Sequence, residues 1–330
     1  MLRSGGGSIA VLEDVAWVDR SLEGRLRVRG ADRLDLLHRL STNNLLSLKP
    51  FSSCGTVFTS DKGRIVDYVR VLVYPDSLVL LVSSNRVDRL RTWIERYTIM
   101  EDIQLEDITS SQTLFSLIGP NNFKSISSIL DSPVQPGTFH EREVHGSRLT
   151  VDYQEEFGIE WVNVLTPTPE GERSHRLIES LTEHAVQFIG APMFELYRMT
   201  NGVPGEHELT GAFNPYDVNL RHAISYTKGC YIGQEVIARL DTYQKAARGL
   251  ALLSFQQNIR VSADASIPVL LKGESIGVLT SSSEITLDER HLGLAVLRKS
   301  EAEIGRHIVI SEGTNNFDAV IERVFDDTHS

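Results

Sequence analysis

The residues with the most chemical potential lie together in Lys228-Gly229-Cys230-Tyr231-Ile232-Gly233-Gln234-Glu235. Cys230 is one of only two cysteines in the 330-residue chain. Two glycines flank the thiol at short range and permit a tight backbone path or the close approach of a ligand. The helix-forming run Gln234 to Leu240 follows, so Cys230 is expected just before a helix N-terminus. There unpaired amides, the helix dipole and Lys228 would favour the thiolate, the form that attacks electrophiles and binds metals. A lone cysteine also serves as a small buried hydrophobe, and the residues alone leave both readings open. Cys54, between Ser53 and Gly55, has no neighbour in sequence that would lower its pKa, and reads as structural.

Composition narrows the chemistry. A net charge of -11 argues against a general nucleic-acid binder. No stretch approaches the roughly 18 apolar residues of a membrane span. Two distant cysteines without a C-x-x-C pair exclude a disulfide scaffold, a zinc site of four thiolates and a self-contained four-cysteine cluster. If the chain handles an iron–sulfur cluster, partner thiols must complete the ligation. Two histidines, His175 and His184, are spaced too widely for a helical metal site. The glycine-rich start, Met1 to Ser8, reads as flexible, with no recognisable signal or transit peptide.

The positioning elements follow from periodicity. A strand is expected over 25–29, then a helix with Leu34, Leu37 and Leu40 on one face and Asp32 as its cap. Strands over 57–59 and 65–74 flank the turn Asp61-Lys62-Gly63-Arg64 as a hairpin. A buried strand over 78–82 precedes a helix capped by Asn85, with Val87, Leu90, Ile94 and Tyr97 on one face. Further strands are expected over 114–117, 149–153 and 160–165. Helices follow around Leu177 to Leu181 and over 193–200, the second opened by Pro192 and closed by Asn201-Gly202. Five short strands between 250 and 311 read as a small β-barrel. The fold class is therefore α+β, divided into a flexible segment 1–16, a two-lobed region 17–245 and a C-terminal barrel 246–330. Within the middle region, 17–50 and 110–245 are assigned to one lobe and 51–109 to the other.

The octapeptide at 228–235 resembles the K-G-C-[FY]-x-G-Q-E motif of YgfZ-type folate-binding proteins. These are relatives of the glycine-cleavage T-protein, or aminomethyltransferase, that act in iron–sulfur cluster assembly. Leu40-Ser41-Thr42-Asn43, Thr59-Ser60-Asp61-Lys62-Gly63-Arg64-Ile65 and Ile118-Gly119-Pro120 resemble further landmarks of the T-protein family, in the expected order. The resemblance covers most of the chain. It implies two ferredoxin-like, sandwich-like segments around a central folate channel, with the barrel beside them. It also implies tetrahydrofolate or a derivative as the bound small molecule, and a transient cluster shared with an A-type carrier or scaffold protein through Cys230. The protein is expected to be a monomer on its own.

The resemblance assigns Asp67 a catalytic place, because the family carries two adjacent aspartates where this chain has Asp67-Tyr68. It places Lys228, Tyr231, Gln234, Glu235, Arg239 and Arg248 on the folate-binding side; Arg239 and Arg248 have forks suited to a carboxylate. Packing for Tyr231 and loop support for Gln234 and Glu235 stand beside those roles. Thr200, in Arg198-Met199-Thr200-Asn201-Gly202-Val203-Pro204, stands where the aminomethyltransferase has a pterin-gripping glutamate. Together with Tyr68 it favours the accessory branch over a tetrahydrofolate-dependent one-carbon transferase, the alternative. A scaffold that only binds a protein partner is a third reading. Ala238-Arg239-Leu240-Asp241-Thr242-Tyr243 resembles the plastid and cyanobacterial branch, which implies a plastid stroma; the mitochondrial matrix and bacterial cytoplasm are the alternatives.

Overall fold

In a computed structural model the described residues are 11–130, 135–144, 147–167, 186–242, 247–262 and 267–325. The chain runs β1 (Ala16–Asp19), β2 (Gly24–Arg29), α1 (Arg33–Leu40), β3 (Ser53–Thr59), β4 (Ile65–Val73), β5 (Leu78–Val82), α2 (Val87–Arg96), β6 (Gln104–Asp107) and β7 (Gln112–Ile118). It continues with α3 (Asn122–Leu130), β8 (Thr138–Val144), β9 (Ser147–Glu156), β10 (Ile159–Pro167), β11 (Gln187–Phe188), α4 (Ala191–Thr200) and α5 (Gln234–Thr242). The last part is β12 (Arg248–Phe255), β13 (Ile267–Leu271), β14 (Glu274–Ser282), β15 (His291–Arg298), β16 (His307–Glu312) and β17 (Asn315–Phe325).

These strands make two open sheets, β3-β4-β5-β2-β6 and β11-β1-β7-β10-β9-β8, and a closed barrel β12-β15-β14-β13-β16-β17. The α+β architecture with a C-terminal barrel is as the sequence led us to expect. The nearly unbroken apolar run of β4 and β5 has a simple cause, since both faces of that sheet are covered. One face packs Val69, Val71, Leu78 and Leu80 under α1 and α2. The other sets Leu72, Val79 and Leu81 against Leu114, Phe139 and Leu165 of the second sheet. The barrel is fastened to the rest by a core that joins Val57, Ile65, Leu196 and Met199 to Leu250, Leu294 and Phe325.

The expected lobe boundary is corrected. β2 and α1, placed with 110–245 from the sequence, belong instead with β3, β4 and β5. The chain changes sheets in the short turn between β1 and β2, where the buried Arg25 guanidinium donates to the carbonyls of Ser21, Thr109 and Gln112. Two caps also differ. Asp32 makes no side-chain bond to α1 and instead accepts the amide of Asp102, at 2.8 Å. Asn85 adopts a left-handed backbone (φ 58°), and α2 starts after Arg86. The end of α4 is as expected, with Asn201 at the cap and Gly202 at φ 66°. The helix expected around Leu177 to Leu181, with His175 and His184, lies outside the described residues.

Candidate functional site

Two stretches far earlier in sequence, 39–43 and 57–60, converge on the segment 223–233 that carries Cys230. The Thr42 hydroxyl donates to the Ala223 carbonyl (2.6 Å) and accepts the Val57 amide (3.1 Å), while Ser225 donates to the Thr42 carbonyl. The Thr59 hydroxyl donates to the Ile232 carbonyl at 2.7 Å, and the Ile232 amide donates to Arg39. Gly233 seats the loop on the β3–β4 turn. It has φ 82°, and a Cβ there would stand 2.4 Å from the Ser60 carbonyl oxygen. Only glycine meets both demands.

On this braced loop Cys230 is exposed, four positions before the first residue of α5. Lys228 does not face it. The ammonium is buried, and donates to the carbonyls of His38, Ser41 and Asn43 at 2.5, 2.6 and 2.8 Å. All three of its donors are thus spent on the C-terminal end of α1 and the residues after it, where a cation is favourable. Burial pulls its pKa down to about 7. The expectation that Lys228 would activate Cys230 or bind a cofactor is corrected on that ground. Tyr231 is buried with Ile224 and Ile237, with the Lys228 ammonium 5.0 Å from its ring centre. Gln234 opens α5, and Glu235 and Arg239 are exposed on it. Arg248 is a strut to the barrel, held by Asp217 at 2.6 and 3.3 Å with its guanidinium over Phe213. Cys54 packs against the core under α1, and burial pushes its thiol up to about 12, which keeps it protonated.

A cavity of about 220 Å³ lies between the two sheets and α4. Tyr68, Phe157, Trp161 and Phe194 form aromatic walls, and Arg20, Arg70, Arg198, Glu156 and Glu195 supply charge. None of the residues 228–235, nor Arg239 or Arg248, lines it. The Arg20 guanidinium is held by Glu23 (2.5 and 2.6 Å), Ser116 and Asn163, and lies 4.8 Å from the Trp161 ring centre. Arg70 donates to Asp152 (2.8 and 3.0 Å), Glu156 (2.8 Å), Ser53 and the Tyr153 carbonyl. The Tyr68 hydroxyl donates to the other oxygen of Glu156. Arg198, buried at the far side, bonds Glu195, Glu208 and Ser281.

Asp67 does not line the cavity. It is buried, accepts the amide and hydroxyl of Ser83 at 3.2 and 2.7 Å, and has its pKa pushed up to about 6 by burial. Ser83 does line the cavity, so the carboxylate sits one hydrogen bond behind its wall. Thr200 is likewise buried, donating to the Tyr197 carbonyl. Sequence reasoning missed Arg70, Glu156, Trp161 and Phe194. One signal was available: Arg70 is a charge inside the apolar run Val69 to Val73, which a buried strand tolerates only with a partner.

The profile of the GCVT N-terminal domain family matches residues 8–228. A chloroplastic protein of Arabidopsis thaliana, named a "putative transferase", is 31% identical over 303 residues, 90% of this chain and 68% of that protein. An aminomethyltransferase of Halalkalibacterium halodurans is 24% identical, over 91% of this chain and 83% of its own. The crystal structure of the glycine cleavage system aminomethyltransferase T from Bartonella henselae superposes with a TM-score of 0.74, over 94% of this chain and 85% of that one, at 16% identity.

Proposed function

Because this chain belongs to the GCVT N-terminal domain family, we propose that it binds a tetrahydrofolate and uses Cys230 to share or pass an iron–sulfur cluster with an A-type carrier, as an accessory protein of cluster assembly. The observation that carries this reading is a division of labour. The aromatic, charged cavity suits a flat heterocycle, whereas Cys230 stands exposed on a rigid loop elsewhere, available to a partner. Aromatic faces stack the ring, and buried arginines and carboxylates pair with its polar edge. At about 220 Å³ the cavity is smaller than the roughly 300–1,000 Å³ of drug-sized ligand sites. It would hold the ring end, and a neighbouring depression of about 390 Å³ lies on the other side of the Glu195–Arg198 pair.

The cluster is cargo in this account. Among the described residues no group of three or more His, Cys, Asp or Glu is placed to hold a metal ion. The chain therefore contributes one thiolate and the partner the remaining ligands. A plastid setting is part of the proposal, supported by the chloroplastic name of the Arabidopsis relative. The test is anaerobic mixing with a [2Fe–2S]-loaded A-type carrier, followed by visible circular dichroism. A new cluster spectrum with wild type and none with Cys230→Ser is expected; identical spectra would remove Cys230 as a ligand.

A second reading, a tetrahydrofolate-dependent one-carbon transferase, is favoured by Asp67. Its carboxyl sits behind Ser83 with a pKa pushed up to about 6, suited to proton transfer near neutrality. Methylene transfer to or from tetrahydrofolate that fails in Asp67→Asn, with folate affinity intact, would establish it; wild type without turnover would dismiss it.

A further inference from the structure

Two nearly fully exposed apolar side chains stand on a pinned turn that is tied to the loop of Cys230. We propose that Ile99 and Met100 are the docking point for the protein that shares a cluster with Cys230, and that this protein presents an apolar socket edged by basic residues. The inference rests on the cluster reading for the identity of that partner.

Ile99 and Met100 follow α2 and are 87% and 93% exposed. Single exposed apolar residues are ordinary, but two in succession on a pinned turn are not. One Glu101 oxygen accepts the amides of Ile99 (2.8 Å) and Met100 (3.1 Å), and the other accepts Arg39 of α1 at 2.9 Å. Those amides and the Arg39 guanidinium pull the Glu101 pKa down to about 2, so the clamp stays charged at neutral pH. On either side, the Thr98 hydroxyl donates to the Ile94 carbonyl and the Ile103 amide to the Glu101 carbonyl. The backbone is thus ordered before a partner arrives, which lowers the entropy cost of docking. Isoleucine supplies a fixed apolar shape and methionine an adaptable one, a combination suited to protein-binding surfaces.

Position and charge identify the occupant. Arg39, which Glu101 holds by its side chain, accepts the Ile232 amide at its carbonyl, so the turn is two hydrogen bonds from the Cys230 loop. Nine large apolar side chains are exposed among the described residues. Five of them, Ile99, Met100, Leu46, Tyr226 and Val236, lie on the segment of Cys230 or on stretches bonded to it. Leu46 comes three residues after Asn43, whose carbonyl accepts Lys228, and Tyr226 and Val236 flank the octapeptide. A protein that brings thiolates to Cys230 therefore meets this apolar surface. The segments 32–39 and 95–102, which carry the clamp, hold five carboxylates and three guanidiniums. A basic rim on the partner is complementary to that excess.

The test separates docking from cluster ligation, by anaerobic isothermal titration calorimetry with the A-type carrier in its cluster-free and [2Fe–2S]-loaded forms. Wild type and Cys230→Ser are expected to bind the cluster-free carrier equally, and more weakly at high salt. The double variant Ile99→Ser/Met100→Ser should keep the wild-type melting temperature, because both side chains are exposed, and bind about a hundredfold more weakly. Binding that salt leaves unchanged overturns the basic rim. A cluster-free carrier bound equally by wild type and double variant overturns this inference and leaves the cluster reading standing. So does a cluster spectrum with the loaded carrier when wild type does not bind the cluster-free one. Wild type that binds neither form and gives no cluster spectrum overturns both. A wild-type dimer in light scattering, dispersed in the double variant, assigns the surface to a second copy and overturns the inference too.

Discussion

At the residue scale, the loop of Cys230 depends on Gly233 more than on any charged neighbour. Gly233→Ala puts a methyl into the Ser60 carbonyl at a left-handed φ. It should cost about 2–3 kcal/mol in urea unfolding; a loss under about 0.5 kcal/mol would mean that the loop does not sit on the turn. Asp67 carries a pH signature. Its folded pKa, about 6, is above the 3.8 of the unfolded chain, so between these values the folded state holds the extra proton. Its contribution to stability is full below pH 3.8 and lost as pH rises through 6. A carboxyl ¹³C titration of Asp67 should show a midpoint near 6, and one near 4 would contradict its burial. Cys230 was legible from the sequence because cysteine is rare here and its glycines are position-specific. The use of Lys228 was not, since its three carbonyl partners lie some 190 positions earlier and no local pattern encodes them.

At the scale of elements, the two open sheets are held in register by Arg70 of β4 gripping Asp152 and Glu156 of β9. Arg70→Met leaves Asp152 buried, its charge uncompensated, and should destabilise by about 3–5 kcal/mol. Arg70→Met with Asp152→Leu should recover a large part of that loss, and a double variant as weak as the sum of the singles would contradict the pairing. Most strands were legible because apolar residues outline them: β5 runs over the residues expected, 78–82. β17 was not, although it is the longest strand at 11 residues. Its Asn315, Asn316 and Asp318 are exposed, Glu322 is half-buried, and only Ala319, Ile321 and Phe325 are buried. Asn85 misled for a related reason, since a left-handed asparagine before a helix and a capping asparagine look alike in sequence.

At the scale of the whole molecule, the barrel is an integral part of the fold. Phe325 of β17 packs where a Cβ on Gly202 would be 2.4 Å away, and Arg198 of α4 donates to Ser281 of β14. Heating should give one cooperative calorimetric transition, and two separated ones would contradict the shared core. The division into sheets and barrel was legible from the order of elements and the family motifs. The lobe boundary was not, because β1 and β2 are adjacent in sequence yet pair in different sheets. A central channel was implied by the resemblance, but the residues that wall the cavity were not legible, since they come from five separated segments. The separation of that cavity from Cys230 is the central claim, and hydrogen exchange with and without tetrahydrofolate tests it most directly. Protection is predicted in 68–84, 154–163 and 194–209, with residues 226–235 unchanged. Protection centred on the Cys230 loop, with the cavity segments unaffected, would contradict the account.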